Sequence, residues 1–261
     1  MKALNIAATG MMAQELNVEV ISHNVANMRT TGFKRQRAEF QDLLYDNLRR
    51  TGSITSDAGT VVPAGVQIGM GVKTAATPRV MSQGAVNLTE KDLDLAIRGE
   101  GFFRISLPDG STAYTRAGSF ELDANGLLVT VDGYQVEPGI TVPTNARDIS
   151  ISTDGTVEVL IDGQTTTTEL GQIQLARFIN PSGLEGIGDN LFLETVASGT
   201  PQVSTPGDTG FGTLLQSHLE ESNVNPVTEI SDLIAAQRAY EMNARIITGA
   251  DEMLSATANL R

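Results

Sequence analysis

Apolar residues recur at seven-residue spacing at both ends of the chain, and this repeat is the strongest constraint on the fold. The repeating positions are Leu4, Met11, Val18 and Val25 near the N-terminus, and Leu233, Tyr240, Ile247 and Leu254 near the C-terminus. The positions three residues further along the chain from each of these complete an a/d-like pattern. Both ends are therefore predicted to be amphipathic helices. The pattern leaves open whether each seam packs within the chain or against another molecule.

The C-terminal helix has a clear start. Pro226 follows Asn225, and proline suits the first helical position while asparagine can cap the free amide groups. We expect this helix to run from Pro226 to about Ala258.

The middle of the chain, from Phe102 to Ile179, changes to a period of two. Residues 156–161 and 172–178 show the alternation typical of strands. Five Asx-Gly pairs can supply the tight turns of hairpins. They are Asp109-Gly110, Asn125-Gly126, Asp132-Gly133, Asp154-Gly155 and Asp162-Gly163. An antiparallel, meander-like β domain is predicted.

Two stretches rich in Gly, Ser, Thr or Pro, Thr51 to Gly71 and Ala197 to Gly212, are interpreted as linkers or irregular loops. The predicted fold class is α+β, with N- and C-terminal helices forming a coiled-coil layer and a central antiparallel β-rich domain between extended linkers. The predicted segments are an N-terminal helical assembly segment (1–45), an extended linker or arm (46–80), a β-rich outer domain (81–185), a return segment of strand and linker (186–225) and a C-terminal assembly helix (226–261).

Composition excludes several classes of function. The chain has 18 basic and 31 acidic residues, a net charge of −13, which argues against nucleic acid as a partner. It contains no cysteine, so no disulfide or thiolate site can form. Polar residues interrupt the first thirty positions, so a cleaved secretory signal is not expected.

No arrangement of residues suggests catalysis. His23 and His218 are the only histidines, and neither has the spacing of a metal site. The glycines of 65–74 and 99–103 match neither a phosphate loop nor a complete dinucleotide fingerprint. We therefore predict no enzymatic activity, no cofactor and no metal.

One basic cluster stands out in this acidic chain: Arg29, Lys34, Arg35 and Arg37. Such a cluster could steer assembly against an acidic neighbour or simply solvate a helix end. We favour the first interpretation.

The segment from Asn24 to Lys34, with its Asn-x-x-Asn pattern followed by Thr31-Gly32-Phe33-Lys34, closely resembles the N-terminal signature of flagellar rod and hook proteins. The C-terminal signature is matched by residues 219–225, by Glu229 and by the run 237–241. The segments 40–45, 67–72, 99–103 and 114–120 are most similar to those of distal rod members of the family.

The resemblance implies a structural subunit of the distal rod, which polymerises through its terminal helices into a rigid helical tube that transmits torque from motor to hook. It implies a homopolymer as the product, and as partners the proximal rod proteins, the hook and hook protein, the peptidoglycan-layer and outer-membrane ring proteins and the flagellar type III export apparatus. The implied location is the periplasm-spanning rod of the flagellar basal body.

The predicted assembly interface contains two groups of residues. The eight seam residues would supply apolar burial between helices. Side chains of a second group would fix turns and register: Asn24, Asn27, Gly32, Phe33, Asn223 and Asn225. Two alternatives remain open, namely a proximal rod or hook subunit of the same family, and a secreted β-domain binding module whose helices pair only with each other.

Overall fold

The computed structural model describes residues 2–51, 64–164 and 166–259, which divide into two compact units. The helical unit is drawn from Met1–Val25, Gln36–Pro78 and Pro226–Arg261. The β-unit is drawn from Ala26–Arg35 and Arg79–Asn225. Helices at the two ends and strands between them confirm the α+β class.

The helical unit contains two long helices and two strand pairs. In chain order its described elements are α1 (Lys2–Ala26), β1 (Glu39–Asp42), β2 (Tyr45–Arg49), β3 (Val66–Gly69), β4 (Val72–Ala76) and α2 (Pro226–Asn259). β1 pairs with β4 and β2 pairs with β3, both antiparallel. The predicted C-terminal helix is confirmed, with its start at Pro226.

Parts of the predicted N-terminal segments differ from expectation. The helix ends at Ala26 rather than filling 1–45, and the segment predicted as an extended linker holds strands β3 and β4 and most of β2. Val66, Ile68 and Met70 alternate with small or polar residues, a period-two pattern that the glycine-rich composition concealed. Residues 52–63 of the predicted linker lie outside the described residues.

The described β-unit contains short strands joined mainly by tight turns. They are β5 (Val86–Leu88), β6 (Leu95–Arg98), β7 (Phe102–Ser106), β8 (Thr112–Thr115), β9 (Phe120–Leu122), β10 (Leu128–Thr130), β11 (Gln135–Val136), β12 (Ala146–Ile151), β13 (Thr156–Ile161), β14 (Thr167–Gln172), β15 (Leu175–Arg177), β16 (Glu185–Gly188), β17 (Leu191–Leu193), β18 (Gln202–Ser204), β19 (Thr213–Gln216) and β20 (His218–Glu220). A short 3₁₀ turn spans Pro181–Gly183.

The largest sheet has the order β16-β17-β8-β7-β11-β10-β9, and β15 pairs with both β7 and β18. Strands β12-β13-β14 form a separate three-stranded sheet, and two further pairs are β6 with β19 and β5 with β20. Every pairing among these described strands is antiparallel, as predicted.

All five Asx-Gly pairs join hydrogen-bonded neighbouring strands, which confirms their predicted role. Their glycines have φ between +81° and +85°, the left-handed region that hairpin turns require and glycine adopts without strain.

Two apolar clusters lie on opposite faces of β7. Phe103 and Ile105 belong to the larger cluster, whereas Phe102 packs edge-to-face against Phe178 and Phe192 in an aromatic cluster. Successive strand residues point to opposite faces, so adjacent phenylalanines bury both sides of the sheet.

The predicted strand 172–178 is divided. Gln172 ends β14, and the chain then moves to the large sheet, where Leu175–Arg177 forms β15. The predicted 197–212 linker contains strand β18, whose backbone groups are hydrogen-bonded by its pairing with β15.

Within the described ranges, neither long helix carries an apolar stretch that could cross a membrane.

Candidate assembly interface

Contacts between the two terminal helices are described near Asn24 and near Gly10. Asn24 hydrogen-bonds to Glu229, and a methyl group built on Gly10 would lie 2.8 Å from Nδ2 of Asn243. Gly10 and Asn24 are 14 residues apart in α1, and their partners Asn243 and Glu229 are 14 residues apart in α2 in the reverse order. The two helices therefore run antiparallel.

Asn24 is the polar centre of this contact, with only 1% of its surface exposed. Its Nδ2 donates to the Gln36 carbonyl at 2.8 Å and to Oε2 of Glu229 at 3.1 Å, while its Oδ1 accepts from the Gln36 amide at 2.8 Å. A buried amide with these bonds fulfilled favours one register, because sliding the helices would leave it unsatisfied. Glu229, also buried, lies in the first turn of α2, where the helix dipole favours a carboxylate.

The predicted seam residues have intermediate burial. Leu4, Met11, Val18, Val25, Leu233, Ile247 and Leu254 are half-buried, and Tyr240 is 44% exposed. The buried small residues Ala236 and Ala250 of α2 are members of the predicted offset positions. In α1 the described contacts to α2 come from Gly10 and Asn24, on a different stripe from the predicted Leu4 series.

The signature residues after α1 pack within the β-unit. Asn27 Oδ1 accepts from the Thr30 hydroxyl at 3.1 Å, which holds a turn. Gly32 has φ of +68°, and its amide donates to the Glu220 carbonyl at 2.8 Å. Phe33 is half-buried, and its carbonyl accepts from the Asn223 amide.

Asn223 ties three segments of the β-unit together. Its Oδ1 accepts from the Arg35 amide at 2.8 Å, and its Nδ2 donates to the Val80 carbonyl at 2.8 Å and to the Ser82 carbonyl at 3.0 Å. Its side chain therefore fixes backbone by hydrogen bonds within the chain, and its place in the assembly interface stays a prediction. Asn225 is exposed immediately before α2.

Lys34, Arg116 and Glu220 form a buried ion cluster in the β-unit. Glu220 Oε1 accepts from Lys34 Nζ at 2.5 Å and from the Gly84 amide at 2.9 Å. Its Oε2 accepts from Arg116 Nε at 3.0 Å and Nη2 at 2.9 Å. The proposed steering role for the basic cluster is wrong for Lys34, since its side chain is 1% exposed and bound to its own chain.

Burial governs the electrostatics of the ion cluster. Loss of solvent lowers the pKa of Lys34, the Glu220 carboxylate opposes that effect, and Arg116 reinforces it. Burial likewise lowers the pKa of Arg116, against the attraction of Glu220. Sequence reasoning missed this cluster because charged side chains are ordinarily solvated. The only signal was that each of the three charges lies in a segment that carries the family resemblance.

The described residues offer no cluster of three or more His, Asp or Glu side chains suited to a metal ion. His23 and His218 lie in different units. The arrangement is one of packing and hydrogen bonding, with no set of groups poised for catalysis among the residues described.

Comparison with known proteins agrees with this geometry. Family models match residues 4–34 ("Flagella basal body rod protein"), 96–159 ("Flagellar hook protein FlgE/F/G D1 domain") and 215–260 ("Flagellar basal body rod FlgEFG protein C-terminal"). The chain is 59% identical over 261 residues to the flagellar basal-body rod protein FlgG of Caulobacter vibrioides, covering 100% of both chains. It is 52% identical to that of Agrobacterium fabrum, covering 98% of this chain and 97% of the relative. It is 48% identical to that of Borreliella burgdorferi, covering 100% and 99%. The chain belongs to the FlgG family of flagellar basal-body rod proteins, structural subunits of the distal rod.

Proposed function

We propose that this rod subunit polymerises through its terminal helices into a rigid helical tube that transmits torque from motor to hook. The observation that carries the proposal is the exposed apolar surface of α2. Six large apolar side chains of this helix are between 48% and 78% exposed: Val227, Ile230, Ile234, Met242, Ile246 and Met253. Apolar surface on this scale is characteristic of a surface that another protein covers.

The exposed residues cover more than one side of α2, with Met242, Ile246 and Met253 on a flank between the side that meets α1 and the side opposite it. Successive helix residues are rotated by ~100°, which places Val227 and Ile234 roughly opposite Glu229 and Asn243. One side of α2 thus serves contacts within the subunit, and exposed apolar side chains on its opposite side and one flank are offered to neighbouring subunits. A coiled-coil layer of terminal helices, implied by the family resemblance, would use both sides.

A tube requires a contact that does not close on itself. Head-to-tail interfaces between two different surfaces of one chain generate open helical filaments. The buried Asn24–Glu229 contact supports a fixed helix register within each subunit, which would let every copy present the same surface.

We further propose that the rod contains this chain between the proximal rod proteins and the hook, inside the peptidoglycan-layer and outer-membrane rings. Export through the flagellar type III apparatus without a cleaved signal is consistent with the absence of cysteine, since no disulfide can block passage of an unfolded chain. Family membership supports these assignments.

The arm formed by β2 and β3 is proposed to stiffen the tube by contacting neighbours. Leu44, Leu48, Val66 and Ile68 are exposed apolar residues of this arm and its approach. Deleting residues 51–71 is expected to yield rods of lower stiffness or an abnormal junction with the hook, visible by electron microscopy of isolated basal bodies. Unchanged rods would remove the arm from the proposal.

The central test expresses Ile246→Asp in a normally flagellated bacterium whose own gene for the rod subunit has been deleted. The variant is expected to abolish rods and motility, because a carboxylate would be buried between helices. Gln237→Asp is the matched control, since Gln237 is an exposed polar residue on the side of the helix opposite Ile246, and it should give normal rods. Normal rods from Ile246→Asp would overturn polymerisation through the flank of α2 that carries Ile246.

A further inference from the structure

The β-unit contains a cavity of about 330 Å³, here called the cationic pocket. Lys34 and Arg116 are its most buried charged lining residues, with 2% and 5% of their surface exposed. Its apolar lining is formed by Met81, Phe102, Phe178 and Pro181. The pocket therefore combines buried positive charge with apolar walls.

The ion cluster next to the pocket is not electrically neutral. Lys34 and Arg116 share the carboxylate of Glu220, which already accepts four hydrogen bonds. The other carboxylate of the pocket, Glu100, also attracts Arg116 but is paired with a third cation, Arg177. Lys34 has three N–H donors, and within the described part of the chain two are used, by Glu220 and by the Ser82 carbonyl. One positive charge and one donor remain, and a desolvated cation is stabilised by an additional anion.

Access to the pocket is bordered by an ion pair between Arg177 and Glu100. Nε of Arg177 lies 2.8 Å from Oε2 of Glu100, and their side chains are 39% and 71% exposed. Exposed ion pairs are weak, so Arg177 can exchange this partner for an incoming carboxylate at little cost. A carboxylate on a short aliphatic stem matches both the charge and the apolar walls.

We infer that the cationic pocket receives an acidic side chain from a second copy of this chain. This inference rests on the proposed polymerisation. The chain carries a net charge of −13, so copies repel one another in general, and a buried cationic site is where a neighbour's carboxylate is favoured. Charge complementarity of this kind selects register and partner, and a pocket receiving a different surface is a head-to-tail contact.

The test places an acidic side chain in the pocket from within the chain. Ser82 lines the pocket and is exposed, so Ser82→Glu can occupy the site, and Ser82→Gln is a control of equal size without charge. Both side chains fill space in the pocket, but only the carboxylate of Ser82→Glu neutralises it, so Ser82→Glu is expected to raise the critical concentration for polymerisation roughly tenfold more than Ser82→Gln does, about 1.4 kcal/mol. Equal effects of the two variants, or none, would overturn the inference. Thermal unfolding of both establishes that they fold.

A second experiment tests whether the pocket binds a carboxylate of a neighbouring chain or a small soluble acid. Glutarate is titrated into the monomer while the amide resonances of Glu100 and Gly101 are followed by NMR. Saturation at low concentration, together with normal polymerisation of Ser82→Glu, would assign the pocket to a soluble organic acid instead. If wild-type protein forms no polymer, the proposed function itself fails, whereas normal polymers from both wild type and Ser82→Glu count against the pocket alone.

Discussion

Lys34 Nζ lies 2.5 Å from Oε1 of Glu220, with both side chains almost completely excluded from solvent. The two residues are 186 positions apart in the chain, and the contact joins the segment after α1 to the segment before α2 within the β-unit. The Thr-Gly-Phe-Lys signature therefore ties two distant segments of the subunit together through its lysine.

Glu220→Gln is expected to destabilise the β-unit by about 3–5 kcal/mol, because it leaves Lys34 and Arg116 buried without a counter-charge. Urea unfolding followed by circular dichroism measures the change. Lys91→Met is the control, since the Lys91–Glu121 pair is exposed and should contribute about 1 kcal/mol or less. Comparable effects of the two substitutions would show that the ion cluster is not a structural centre.

Gly32→Ala is expected to destabilise the protein more than Gly110→Ala does. Both glycines have positive φ, +68° and +84°, so both alanines incur roughly 1–2 kcal/mol of backbone strain. A methyl group on Gly32 would also lie 2.6 Å from the Ala117 backbone nitrogen, whereas Gly110 has nothing within 4 Å. Urea unfolding of the two variants measures this difference, because the steric clash destabilises only Gly32→Ala. Equal unfolding midpoints would contradict the close packing at Gly32.

The turn formed by Asp123 should weaken in acid. Hydrogen bonds from the Leu127 and Asn125 amides lower the pKa of this carboxyl below its usual value. Because the folded pKa is the lower one, the stabilisation is complete above the unfolded value and is lost as pH falls through the folded value. Melting temperatures measured below about pH 4 should therefore fall less steeply for Asp123→Asn than for wild type. Parallel curves would contradict this assignment.

Leu233→Asp and Ile247→Asp are expected to leave the isolated chain soluble and to block rod assembly. Both residues are half-buried on α2, where a carboxylate would disrupt apolar packing between helices. Sedimentation of the purified variants and electron microscopy of basal bodies measure the two effects. Normal rods from either variant would remove that residue from the seam.

Local signals predicted much of the fold. The Asx-Gly pairs identified five hairpins because glycine at positive φ is a local requirement, and the Asn225-Pro226 pair marked the start of α2 for the same reason. The face of α1 could not be assigned in this way, since close approach at Gly10 depends on Asn243 of the other helix. The ion cluster is also non-local, because only folding brings Lys34, Arg116 and Glu220 together.

Limited proteolysis of the soluble chain should separate helical ends from packed core. If the termini order mainly on assembly, protease removes them first, because isolated helices are marginal in water. The sequence predicts a resistant core from about residue 45 to 225, but the burial of Lys34 and Gly32 in the β-unit moves the expected N-terminal cut to roughly residue 26. Mass mapping locates the cut. A core starting near residue 45 would mean that the signature segment is released as readily as the helices, and intact ends would mean that the helix pair is stable alone, as the binding-module alternative requires.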